Sequence, residues 1–144
     1  MSNPKVNLFN LFATDLDKVE NGTWVAISPG VSFRLARLNR PEFNAVRNKL
    51  MEENSVTFNV LKSTQKHKEL EELSSQIFAK VLARAIVKDW KGVTVDGAEV
   101  PFTEEACEAI LIDPAMVDLV THIVNLANDR ENFRVKGIEE AAKN

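Results

Sequence analysis

The dipeptide Asp96-Gly97 constrains this chain more than any other feature. It lies between Val93-Thr94-Val95 and Ala98-Glu99-Val100. A two-residue hairpin loop needs positive φ at both central positions, and Asp-Gly is among the pairs that supply it at least cost. The stretch around it, Leu82 to Met116, is punctuated at every junction. Arg84 to Trp90 close an amphipathic run and Gly92 breaks it. Pro101 ends the hairpin, and Thr103 caps a helix. Asp113-Pro114 opens another helix with a cap and a proline at the first helical position. These are scaffold devices, and no residue in the block has the setting of a catalytic group.

The remaining segments follow the same reading. VNLFNLF (residues 6–12) is apolar and ambiguous between strand and helix. Thr14-Asp15 caps a brief helix through Glu20, ended by Asn21-Gly22. Thr23 to Ile27, a Pro29-Gly30 turn and Val31 to Leu35 form a second hairpin, with Val31, Phe33 and Leu35 on its buried face. Pro41 starts a helix to about Glu53, while Ser55 to Lys62 alternates as an edge strand or ordered connector. Thr64 to Trp90 reads as the longest helix, about 37 Å at 1.5 Å per residue, polar at its start and apolar on several sides later. A final helix runs from Pro114 to about Asn128. Phe102 and Cys107, and likewise Ile112 and Val117, stand at staple positions around the Thr103 and Asp113 caps. The expected fold is α+β and mainly α-helical, a helical bundle with two short β-hairpins. Residues 1–128 form one globular domain, and residues 129–144 a charged, loosely packed tail.

Charge is more informative by position than in sum. Residues 34–91 carry twelve Lys/Arg and seven Asp/Glu, whereas residues 92–128 hold seven acids and no Lys or Arg. A continuous acidic block repels phosphate, so no nucleic-acid partner is expected across that half. Acidic and basic surfaces are expected to meet, within the fold or between copies, the second giving self-association. No apolar run approaches the roughly 18 residues a bilayer span needs, and the start lacks a signal-peptide pattern. Cys107 is the single cysteine, which suits a reducing cytoplasm and a small buried hydrophobe on a helix.

Chemistry is sparse. His67 and His122 have no partners at ligand spacing, so no metal is expected. Glu104, Glu105 and Glu108 are explained by the amino end of a helix. No nucleophile elbow or phosphate-binding glycine loop occurs, so neither an enzyme nor a cofactor is expected. Trp24 and Trp90 read as core plugs. Arg34, Arg37 and Arg40 read as a solvated cluster; the competing reading, a regulatory domain binding nucleic acid through them, requires steeply salt-dependent binding.

Two patches carry a family resemblance. ARAIVKDWKGV (residues 83–93), the short hairpin, PFTEEA (residues 101–106) and the DPAM turn (residues 113–116) match in order and spacing, and a second patch runs from Phe12 to Phe43. In this order the chain resembles the tail assembly chaperones of long-tailed bacteriophages. The resemblance implies a protein of the host cytoplasm, absent from the mature virion. It would bind and solubilise the helical, aggregation-prone tape measure protein while the tail tube polymerises. It also implies a longer, frameshifted form whose added segment recruits the tail tube protein. Ala142-Lys143-Asn144 fits such a shift if encoded with the run A AAA AAC; the plain alternative is a frayed, charged terminus. Phe133, Val135 and Ile138, apolar positions in the segment sparsest in large apolar residues, are the expected partner contacts. The competing function is a structural virion component such as a head-tail connector or tube-end protein.

Overall fold

The computed structural model describes residue 5 and residues 7–135. A five-residue helix, α1 (Leu8–Phe12), is capped by the Asn7 side chain, and α2 (Leu16–Asn21) by Asp15, whose Oδ1 accepts from the Asp17 and Lys18 amides. The ambiguous apolar start is therefore helical. β1 (Thr23–Ser28) and β2 (Val31–Leu35) form the expected antiparallel hairpin, with Gly30 at φ 80° in the turn. α3 (Pro41–Glu53) begins at its proline, as expected, and α4 (Ser55–Ser63) follows after Asn54.

The segment from Ser55 to Lys62 is thus a helix, neither strand nor connector. Its alternation misleads because Val56 and Val60 are one helical turn apart and both exposed, while Phe58 points inward at 7% exposure.

The long helix also differs from its expected form. α5 (His67–Val81) gives way to a π-helical turn, Leu82–Ile86, and then to β3 (Val87–Lys91). β3 pairs antiparallel with β2, with Leu35 opposite Val87 and Phe33 opposite Trp90, so the sheet order is β1-β2-β3. Leu82, Ala83, Ala85, Ile86 and Val87 are all buried. A segment apolar on every side fits a helix or a buried strand equally well, and the free edge of β2 decides in favour of the strand. One expected hairpin is therefore part of a three-stranded sheet.

The second hairpin, β4 (Thr94–Val95) and β5 (Ala98–Glu99), turns through Asp96 at φ 51° and Gly97 at φ 79°. α6 (Glu104–Leu111) is capped by Thr103, whose Oγ1 accepts from the Ala106 amide at 2.9 Å. A 3-10 turn, Pro114–Met116, leads into α7 (Val117–Asn128), and a last 3-10 turn spans Arg130–Phe133. No single helix among the described residues is long and apolar enough to cross a membrane.

The core lies where β2, the π turn and β3 meet α5, α6 and α7; Leu35, Val81, Leu82, Ile86, Cys107 and Ile123 are completely enclosed. Burying each large aliphatic side chain there contributes about 1.5–3 kcal/mol. Trp90 plugs one end, with its ring centroid 5.6 Å from Phe33 and 5.1 Å from Phe102, and donates Nε1–H to the Val100 carbonyl at 2.7 Å. Trp24 is not a core plug: it is 39% exposed and lies under the Lys91 ammonium, 4.0 Å from the ring centroid.

Candidate partner-binding groove

The groove follows from two local decisions of the sequence. The outward face of α5 is polar in its first turns, through Glu71, Glu72, Ser75 and Gln76, and turns apolar at half-buried Phe78. Opposite it, α6 ends at Leu111 and the chain bends by 86° into the next helix. Asp113 builds that elbow: its Oδ1 accepts from the Ala115 amide at 2.9 Å and its carbonyl from the Met116 amide at 2.9 Å. Pro114 has no amide hydrogen to satisfy at the first helical position.

An elbow this sharp cannot press its apolar residues onto α5. Ile112 stays 36% exposed and Val117 62% exposed, so the pair at the expected staple positions lines a groove. The space between α5 and the elbow measures about 690 Å³. Phe78, Leu111, Pro114 and Val120 supply its apolar floor, and Glu71, Glu72 and Asp113 line it with acid, with Lys68 as the one basic residue of the lining.

A second cleft of about 410 Å³ shares Ile112 and is lined by Glu104, Glu105 and Glu108. Arg84 is its basic residue, with Nε 3.4 Å from Glu108 and 3.7 Å from Glu104. Here the basic middle and the acidic half of the sequence meet within one copy. Burial, with Glu104 and Glu108 adding to it, pushes the nearby Cys107 thiol up to about 12. A thiol so placed stays protonated and unreactive at neutral pH. Among the described residues no group of three His, Cys, Asp or Glu is placed to hold a metal ion.

Of the residues expected to touch a partner, Phe133 and Val135 do not line this groove. Phe133 is completely buried, with the Arg37 guanidinium 5.7 Å from its ring centroid. Its carbonyl accepts from the Asp15 amide at 2.7 Å, and Arg134 bridges to Thr14. Asp129, Arg130 and Glu131 stay exposed, but Phe133 anchors the segment, because one large aromatic suffices to seat a short 3-10 turn. Val135 is half-buried, and Ile138 lies outside the described residues. The arginine cluster is likewise not a solvated surface. Arg40 is 4% exposed and holds Glu20 at 3.1 Å, Glu42 at 2.7 Å and the Ala85 carbonyl at 2.6 Å. A second apolar surface, missed in the sequence, is formed by α1: Leu8, Phe9 and Phe12 are 60–78% exposed.

The profile of the YdaY prophage protein family matches residues 39–144. The chain belongs to the YdaY prophage protein family. It is therefore a phage-derived protein, and every residue lining the groove falls within the part that defines YdaY membership. Neither a curated protein nor a solved structure matches the chain.

Proposed function

We propose that this YdaY-family protein is a tail assembly chaperone that binds and solubilises the tape measure protein of its phage and promotes polymerisation of the tail tube around it. The observation that carries the reading is the apolar groove between α5 and the α6–α7 elbow, with Val117 exposed in it. An open groove between helices is the surface that covers the apolar face of another helix. The prophage family and the ordered motifs shared with tail chaperones support the same reading. On this proposal the protein works in the host cytoplasm, leaves the finished tail, and needs neither cofactor nor catalytic group. A longer, frameshifted translation product would carry the segment that recruits the tail tube protein.

Deleting the gene from a phage that carries it tests the proposal. The expected result is heads without tails, restored by the gene in trans, with the protein undetectable by mass spectrometry in purified particles. Normal tails from the deletion would end the reading. Stoichiometric protein in the particles would favour a structural virion component, for which the exposed α1 surface would be a lasting assembly contact.

A further inference from the structure

We infer that the groove takes a helix of about three turns whose apolar stripe is flanked on both sides by lysine and arginine. The inference rests on the groove being the chaperone's partner site, and the segment bound is then a basic, amphipathic stretch of the tape measure protein.

Length comes from α5. The residues it contributes run from Lys68 to Phe78, ten steps or about 15 Å at 1.5 Å per residue, which matches about three turns of a bound helix. The apolar requirement comes from the floor and from Val117, 62% exposed, which gains burial only when something apolar lies on it.

The sign of the flanking charge comes from the banks. Glu71 and Glu72 stand on one side and Asp113 on the other; the adjoining cleft adds Glu105. Among the described residues none of these four carboxylates has an ion-pair partner within 4.0 Å: Arg84 pairs with Glu104 and Glu108, and Lys68, on the same bank as Glu71 and Glu72, pairs with neither. Residues 92–128 contain no Lys or Arg, so that half has no cation of its own to turn toward them. A helix bearing acids would bring like charges together at close range, whereas lysine and arginine beside the stripe would meet carboxylates on both banks.

The test uses the full chain and two labelled fourteen-residue helical peptides with the same leucine stripe, one flanked by lysine and one by glutamate. Fluorescence anisotropy at low salt should show the lysine peptide binding at least about tenfold tighter, a gap that narrows near 0.5 M salt as screening shortens to a few ångströms. Glu71→Lys with Glu72→Lys, both at exposed positions, should reverse the order. An environment-sensitive dye on Ala115→Cys, exposed beside the groove residue Pro114 but outside the lining, reports occupancy of the groove, because buried Cys107 resists labelling. Equal binding of the two peptides, no binding of the lysine peptide, or an order unchanged by the double substitution would overturn the inference. If none of these peptides binds yet the chain keeps the tape measure protein soluble, the charge rule fails and the chaperone reading stands. If the lysine peptide binds and the tape measure protein still aggregates, the groove chemistry stands and the chaperone reading falls.

Discussion

Arg40 donates from Nη2 to the carbonyl oxygen of Ala85 at 2.6 Å, joining the residue before α3 to the π turn that follows α5. A π turn spoils the regular pairing of carbonyls along a helix, and a buried guanidinium takes up one that the turn presents. Nη1 of the same side chain holds Glu20 and Glu42, so α2, α3 and the π turn meet on one cation.

Arg40→Met keeps most of the stem volume and removes the charge. The Ala85 carbonyl is then left buried without this donor. Glu20 is 58% exposed and returns to water, and Glu42 keeps Lys88. The loss should therefore be about 2 kcal/mol, below the roughly 3–5 kcal/mol of a fully buried pair that is broken. Urea denaturation should show a lowered midpoint with an unchanged slope.

Glu42 sets a pH dependence. Burial raises its pKa, but hydrogen bonds from Arg40 and Lys88, with their charges, outweigh burial and hold the carboxyl below its ordinary value of 4.5. A carboxylate lowered in the folded state contributes stability above its unfolded pKa and loses it as pH falls through the folded one. Stability of the native protein should drop as pH is taken below 4.5. Glu42→Gln should be less stable at neutral pH and show a shallower acid-induced fall, read by thermal melts across pH.

Two glycines with similar φ should respond differently. Gly30 at φ 80° has open space around the position a Cβ would take, so Gly30→Ala should cost only the left-handed penalty of about 1–2 kcal/mol. At Gly92, φ 78°, a Cβ would lie 1.9 Å from the Gly30 carbonyl oxygen, part of a backbone that cannot swing aside. Gly92→Ala should cost about 3–4 kcal/mol, strain and overpacking together. Equal losses in denaturant melts would contradict the close approach of these two turns.

Cys107 should react with iodoacetamide only after unfolding. Its thiol is buried and raised to about 12 from 9.0, so at pH 8 the folded protein should keep its mass while the denatured protein gains one adduct. Complete labelling of the native protein within minutes would mean that α6 opens readily.

How far the fold could be read from residues depended on whether the deciding contact was local. Asp96-Gly97, Pro41, Thr103 and Asp113 act within four residues, and each begins or turns the chain where expected. β3 was hidden because its identity depends on β2, more than fifty residues earlier, and Val87 to Trp90 fit a helix face as well as a sheet. The burial of Phe133 was not legible because sparse apolar composition in a segment says little about where its one large aromatic goes. The groove was half visible: the acidic block and the Ile112/Val117 pair were in view, but the facing bank comes from α5, and only the 86° elbow leaves the pair uncovered.

The most direct measurement of the central claim is the soluble fraction of the phage's tape measure protein when it is co-expressed with this chain or with Val117→Arg, a substitution at an exposed position that blocks the groove without entering the core. The account predicts that the native chain keeps most of the tape measure protein soluble in a recoverable complex, and that Val117→Arg, folded by circular dichroism, leaves it in the pellet. Equal solubility with both chains would remove the groove from the function; a tape measure protein equally insoluble with and without the native chain would remove the function itself.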